Sequence, residues 1–164
     1  MRYFLADKFF GNGGDLIVKD ERGKDVIFVD GAAISIGRRL VMKDMKGHEL
    51  ATIQQTLIAL TPTFEIHCKN GPTARVSMKL LSLTDRIKID LPGNDDLEAR
   101  GDLFHHEYAI LRRGREVAHV SKRWIALRDT YGIDIDEGQD DVLIVACAVV
   151  IDAILDMKER ADKE

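Results

Sequence analysis

Six lysine or arginine residues, Arg112, Arg113, Arg115, Lys122, Arg123 and Arg128, stand against a single acid, Glu116, between positions 112 and 128. This is the most basic window of the chain and its best candidate for holding an anion, since clustered cations gain roughly 1 kcal/mol each near an anionic surface. Arg123 shares strand phase with His119 and Ser121 and is expected to point outward. Lys122 shares phase with Ala118, Val120 and Trp124, so it needs a bulge or a strand end to reach solvent. The solvated exterior of a sheet, guarded by basic residues against edge pairing, is the competing account of the same window. The next segment is the opposite: Asp129, Asp134, Asp136, Glu137, Asp140 and Asp141 give six acids and no base in thirteen residues. A calcium loop wants a third ligand where Gly138 falls and a glutamate at its twelfth position, which is absent. Helix capping and dipole complementation explain several of these acids without a metal.

His105-His106-Glu107 invites a metal or acid–base reading. Adjacent residues of a strand face opposite ways, so His105 and Glu107 could converge and His106 could not. Two groups fall short of the three or four ligands of a zinc site, and surface histidines on an irregular loop are expected. Gly11-Asn12-Gly13-Gly14 lacks the lysine, the hydroxyl and the following helix of a phosphate loop and reads as a turn. No serine sits in a nucleophile elbow, and neither Cys68 nor Cys147 advertises an adjacent base. The expectation is no catalytic residue, no metal and no cofactor.

The elements that must carry these residues are mostly strands. Residues 16–19 and 26–29 flank Glu21-Arg22-Gly23, 40–43 and 50–56 flank Met45-Lys46-Gly47, and 64–69 and 73–80 flank Asn70-Gly71. Residues 87–91 and 97–100 flank Pro92-Gly93-Asn94, and 108–111 and 117–123 flank Arg113-Gly114. The turn glycines at 23, 47, 71, 93 and 114 mark a repeated supersecondary unit. Segments beginning at Ala51, Ala74 and Ala118 can be laid over one another without a gap: Ala51, Ile53, Leu57, Ile58, Leu60, Phe64 and Ile66 match Ala74, Val76, Leu80, Leu81, Leu83, Ile87 and Ile89. Ala118, Val120, Trp124, Ile125, Leu127, Tyr131 and Ile133 follow the same template, whereas the stretch from Leu97 to Ile110 fits it poorly and is expected to be an irregular connection.

Eleven or twelve short antiparallel strands in sequence order should curl and close, because closure removes exposed edges. The chain then offers one helix, from Val142 to Leu155, interrupted in its apolar character only by Asp152 and capped by Asp140 or Asp141. A helix apolar nearly all round is buried or spans a membrane, and fourteen residues at ~1.5 Å each fall short of the roughly 30 Å of hydrocarbon. The predicted fold is all-β with one helix: a closed antiparallel twelve-stranded barrel enclosing a C-terminal hydrophobic helix, in one domain over residues 1–164. A lumen so filled has no interior left for a ligand.

A net charge of −4 opposes a main task of non-specific nucleic-acid binding or transcriptional regulation. The first ten residues carry Arg2, Asp7 and Lys8 and no apolar core of a secretory signal. A cytoplasmic location, peripheral at a membrane at most, is expected. Two cysteines make no disulfide framework and read as buried apolar thiols.

The stretch from Ser121 to Ile135, with Lys122-Arg123-Trp124 and Asp129-Thr130-Tyr131-Gly132, then Asp136-Glu137-Gly138-Gln139-Asp140-Asp141 and the helix ending Val149-Val150-Ile151-Asp152, resembles the bacterial branch of the LURP-one-related family. Lys8-Phe9-Phe10, Val29-Asp30-Gly31 and Ser35-Ile36-Gly37 are similar to that branch too. The resemblance runs from about Tyr3 to Leu155 and places the chain in the tubby C-terminal-like superfamily. It implies a twelve-stranded barrel around a central helix, kinship with tubby proteins and phospholipid scramblases, and no established catalytic residues. Tubby domains bind phosphoinositides through basic side chains, scramblases act at membranes and respond to calcium, and plant relatives are linked to pathogen defence; fold alone transfers none of these roles. The expected function is a non-enzymatic binding or scaffold protein whose barrel surface meets an anionic phospholipid, another phosphate-bearing partner or a protein. A calcium-responsive, scramblase-like protein and a hydrolase with a loop-face site near His105 and Glu107 are the alternatives.

Overall fold

Two hairpin turns show why the glycines recur. The carboxylate of Asp20 accepts from the backbone N–H of Arg22 and Lys24 at 2.9 and 3.0 Å, and that of Asp44 accepts from Lys46 and His48 at 2.9 Å each. In both turns the glycine three residues on, Gly23 or Gly47, takes a positive φ (78° and 89°) that only glycine adopts without strain. Each returns its N–H to the aspartate carbonyl. The same local chemistry, placed 24 residues apart, produces the same hairpin with the same one-residue bulge in the strand after it, at Val26 and at Leu50.

The computed structural model describes residues 1–6, 15–31, 39–56, 63–78, 86–124 and 130–163. Lys8-Phe9-Phe10, the glycine run 11–14, Ser35-Ile36-Gly37, Arg128, Asp129 and the repeat positions Leu57, Ile58, Leu60, Leu80, Leu81, Leu83, Ile125 and Leu127 lie outside the described residues. The strands are β1 Arg2–Ala6, β2 Leu16–Asp20, β3 Asp25–Asp30, β4 Arg39–Asp44, β5 Glu49–Gln55 and β6 Thr63–Cys68. They continue as β7 Thr73–Met78, β8 Arg86–Asp90, β9 Leu97–Asp102, β10 Glu107–Arg112, β11 Arg115–Ser121 and β12 Thr130–Ile135, followed by helix α1, Asp141–Asp162.

Every strand pairs antiparallel with its sequence neighbours, and β1 pairs with β12, with Arg2 opposite Asp134 and Leu5 opposite Tyr131. The barrel is closed. Two backbone hydrogen bonds between Met1 and Ile135, of 2.9 and 3.0 Å, extend the seam. Period-two alternation sends Val18, Val29, Met42, Ile53, Ile66, Val76, Ile87, Ala99, Ile110, Val120 and Ile133 inward, all buried.

All residues of α1 from Leu143 to Leu155 are buried, on every face of the helix. Such a helix must be surrounded, and it packs on β5, β6, β7 and β12 inside the barrel. Each fully buried Ile, Leu or Val there contributes on the order of 1.5–3 kcal/mol of transfer free energy. Asp140 caps the helix start, its Oδ1 accepting from the N–H of Leu143 at 3.1 Å. At 22 residues α1 is longer than its apolar run, because the chain continues helically beyond Leu155. Among the described residues no helix is long and apolar enough to cross a membrane.

The region from Leu97 to Ile110 corrects an expectation. It is no irregular connection: β9 is ladder-paired with both β8 and β10. Only the 3₁₀ turn Leu103–His105 and His106 interrupt it. The repeat template misses β9 because only Leu97 and Ala99 of its residues are buried, leaving the strand's second half polar.

Candidate functional site

Sequence proximity in the basic window does not become spatial proximity. At about 3.3 Å per residue, β11 carries Arg115 and Ser121 roughly 20 Å apart, so the five cations among the described residues divide between the two ends of the barrel. At one end Arg112 donates from Nη1 to Asp95 Oδ2 at 2.7 Å, Arg113 Nη2 stands 3.8 Å from Asp95 Oδ1, and Arg115 is exposed without an ion pair among the described residues. At the other end Ser121 Oγ and the Lys122 N–H both donate to Glu107 Oε1, at 2.8 and 3.1 Å, and this ends the strand. Arg123, 83% exposed, lies 3.8 Å from Glu107 Oε2. Lys122 is thereby released from the inward phase.

The cations that do converge come from different strands. Arg86 and Lys88 of β8 project outward, opposite in phase to the buried Ile87 and Ile89, and Arg113 reaches over from the β10–β11 turn. With Asp96, Glu98 and Leu111 they line an open groove of about 290 Å³ on the outer face. Glu98 is shared between Arg86 at 3.5 Å and Arg100 at 3.0 Å. A hydrogen bond to Asp90 holds the Lys88 ammonium above its ordinary pKa.

Trp124 corrects a second expectation, because its side chain lies outside the barrel. Tyr131 and Ile133 point inward, so Gly132 between them faces out, and a Cβ built on Gly132 would come within 2.8 Å of the Trp124 ring. The indole folds back over that glycine, with the Arg2 guanidinium 4.1 Å from the ring centroid and His119 at its edge. Arg2 is fixed in turn by Asp134 at 3.4 Å.

The histidines supply the largest correction. His105 is exposed, with its Nδ1 2.8 Å from Asp102 Oδ2. His106, expected on the surface, is buried. It takes a left-handed backbone conformation (φ 52°) after the 3₁₀ turn and aims its ring into the barrel. Its Nε2 lies 2.9 Å from Asp152 Oδ1, Tyr131 donates from its hydroxyl to Asp152 Oδ2 at 2.5 Å, and the two rings stack at 4.3 Å. The His106 and Asp152 side chains are only 7% and 8% exposed. The signal available in the sequence was Asp152 itself, since a carboxyl inside an apolar helix needs partners.

The acidic segment is dispersed over structural tasks. Asp134 pairs with Arg2, Asp140 caps α1, and Asp141 accepts from the Tyr3 hydroxyl at 2.6 Å. Burial and Asp141 push the Tyr3 phenol well above its usual range. No three metal-ligating side chains converge among the described residues. Burial, with Asp140 nearby, raises the Cys68 thiol to about 11, and burial raises that of Cys147 still more, so neither is a thiolate at neutral pH. Both are free.

Comparison with known proteins agrees with this architecture. An X-ray structure of an Arabidopsis thaliana protein, AT5G01750, superposes with a TM-score of 0.63 at 13% identity, covering 94% of this chain and 90% of that one, a likeness of fold. The uncharacterized Bacillus subtilis (strain 168) protein YxjI is 27% identical over 152 residues, 93% of this chain and 92% of the relative. Arabidopsis thaliana protein LURP-one-related 6 is 26% identical over 161 residues, 87% of this chain and 83% of the relative. The LURP-one-related family profile matches residues 1–152, taking in every strand and the buried part of α1 as far as Asp152. With the closed barrel, its enclosed helix and a match of that extent, this chain belongs to the LURP-one-related family.

Proposed function

We propose that this is a non-enzymatic binding or scaffold protein that recognises a phosphate-bearing partner on the barrel exterior. The observation that carries the reading is the filled lumen: α1 occupies the space in which a barrel enzyme or carrier would hold its ligand. Chemistry on the surface is poorly provisioned as well. His105 and Asp102 form a solvent-exposed pair, Ser121 is engaged with Glu107, and the two thiols stay protonated. The groove formed by Arg86, Lys88 and Arg113 supports the phosphate class, because three cations converge on one face and their pairs with Glu98, Asp90 and Asp95 are solvent-exposed and exchangeable. This reading needs no calcium, because Asp134, Asp140 and Asp141 already have partners within the chain.

Co-sedimentation with vesicles of phosphatidylcholine alone, or with added phosphatidylserine or phosphoinositide, tests the reading; soluble inositol phosphate as competitor separates headgroup recognition from attraction to a charged surface. Pelleting on anionic vesicles at low salt is expected, with loss in Lys88→Glu/Arg113→Glu. At roughly 1 kcal/mol per cation near an anionic surface, reversing two of them should weaken binding by more than tenfold. Negligible pelleting together with no binding of inositol phosphate would overturn it, and so would turnover in a hydrolase and phosphatase screen that disappears in His105→Ala.

A further inference from the structure

We propose that the outer face of β1–β4 is the interface of a homodimer, in which a stripe of outward apolar side chains docks on the same stripe of a second copy of this chain. The stripe follows the strand register. Phase places Ile17 outward between the buried Leu16 and Val18, Phe28 between Ile27 and Val29, Val41 between Leu40 and Met42, and Phe4 beside Leu5. Ile17 is directly opposite Phe28, which sets their Cβ atoms about 4.5–5.5 Å apart. Phe4, opposite Lys19, is diagonal to Ile17, and Phe28 is diagonal to Val41, which lies opposite Asp30. Diagonal neighbours stand about 7–8 Å apart, within reach of aromatic rings. At the near end the rings of Phe4 and Trp124 meet over Gly132. Ile17 is 41% exposed, and Phe4, Phe28, Val41 and Trp124 are part-exposed. The far side of the barrel shows an ordinary solvated face, where Arg75, Ser77, Arg86, Lys88, Glu98 and Arg100 take the outward positions of β7–β9. A contiguous apolar run on the outside of a closed barrel marks contact with another molecule.

The flanking charges select the occupant. Lys19 and Lys43 stand on the flank toward the hairpin turns, and Asp15 and Asp30 stand on the other, with Arg39 beyond them at the end of the stripe. An anionic bilayer wants cations on both flanks and is repelled by these two aspartates. A second copy fits both. Turned about a two-fold axis lying along the stripe, each copy sets its lysine flank over the aspartate flank of the other, which is the self-complementarity an isologous interface requires. Lys19 is held by Asp25, so Lys43 is the cation that crosses. Within one copy it lies 3.9 Å from Asp30, the two side chains being 36% and 35% exposed, and an exposed pair of this kind exchanges readily. Barrel curvature limits the contact, so the dimer is a weak, reversible one at the low end of interface sizes. In the closed ring β3 and β9 are six strands apart, so the groove of Arg86, Lys88 and Arg113 stays open in the dimer.

Sedimentation equilibrium of the full chain over rising concentration is the test. A reversible shift from the 18.4 kDa of one chain to twice that mass is expected. Ile17→Lys, at an outward position that leaves the core untouched, should raise the dissociation constant by tenfold or more. Mixing tests the two-fold geometry itself. Lys43→Glu and Asp30→Lys should each stay monomeric, because each homodimer sets like charges against one another twice across the axis. Mixed in equal amounts they should form a heterodimer, since both crossing contacts then join opposite charges. A chain that stays monomeric up to millimolar concentration, a dimer as tight in Ile17→Lys, or a mixture of the charge variants that associates no better than either alone would overturn the proposal. None of these substitutions touches the outer groove, so vesicle binding and dimerisation can fail independently.

Discussion

The two mouths of the barrel handle a carboxylate in opposite ways. Asp152, near the end where His106 enters, is buried and bound on both oxygens by side chains from two other segments, β12 and the β9–β10 connection. Asp140, at the end where α1 begins, is half-exposed and answers a backbone N–H of its own helix. The first is a tertiary tie that holds distant parts of the chain on one helix residue; the second is local helix chemistry. Orphaned polar atoms do not separate the two ends: besides Arg112 Nε and Gln139 Oε1, Arg2 Nε and the Tyr108 hydroxyl also have no partner among the described residues. One end is closed by a buried side-chain network, and the other by a helix cap.

The largest expected effect comes from ending the contrast altogether. Ala148→Asp puts a carboxylate midway along the enclosed helix, where no partner exists, and the chain should fail to give a cooperative thermal transition. Removing the two carboxylates in turn measures the difference directly. Asp152→Ala strands His106 and Tyr131 and should reduce unfolding free energy by about 3–5 kcal/mol, whereas Asp140→Ala should lose about 1 kcal/mol, both read from urea denaturation. Equal losses would erase the distinction between the two ends.

The tyrosines sharpen it further. Tyr131→Phe deletes a hydrogen bond to a buried carboxyl and should lose about 1.5–3 kcal/mol. Tyr108 is equally buried, but its hydroxyl has no partner among the described residues, so Tyr108→Phe should be neutral or slightly stabilising. The smallest effect lies in the hairpin turns. Backbone N–H groups of the turn, that of His48 foremost, hold the Asp44 carboxyl below its ordinary pKa. A group depressed on folding stabilises the native state above its unfolded pKa, and that contribution is lost as pH falls through the folded value. The melting temperature should therefore drop between pH 5 and pH 3, and drop less in Asp44→Asn.

How much of this was legible in the sequence depended on whether a residue obeyed a period. The barrel was legible because Ala51, Ile53, Phe64, Ile66, Ala74 and Val76 alternate with polar residues between regularly spaced turns, and all are buried. The enclosed helix was legible because the successive residues Val145, Ala146, Cys147 and Ala148, each about 100° from the last, cover every face and are all apolar. His106 was not, since period-two counting holds only inside a strand and this residue sits at a left-handed turn between two. Trp124 escaped for a related reason: β11 ends at Ser121, and beyond that the phase shared with Val120 no longer fixes direction. The basic window misled because six residues along a strand is a short distance in sequence and most of the barrel's height in space.

Closure by β1 on β12 also dictates an order of events during synthesis. The first strand made waits for the last one to be made before either has its second neighbour, and the lumen stays hollow until α1 has followed. A ribosome that has released residues 1–135 holds an apolar sheet with no core to wrap. Long-range pairing of this kind folds slowly and exposes apolar surface meanwhile, so the nascent chain, more than the finished protein, is the species open to aggregation.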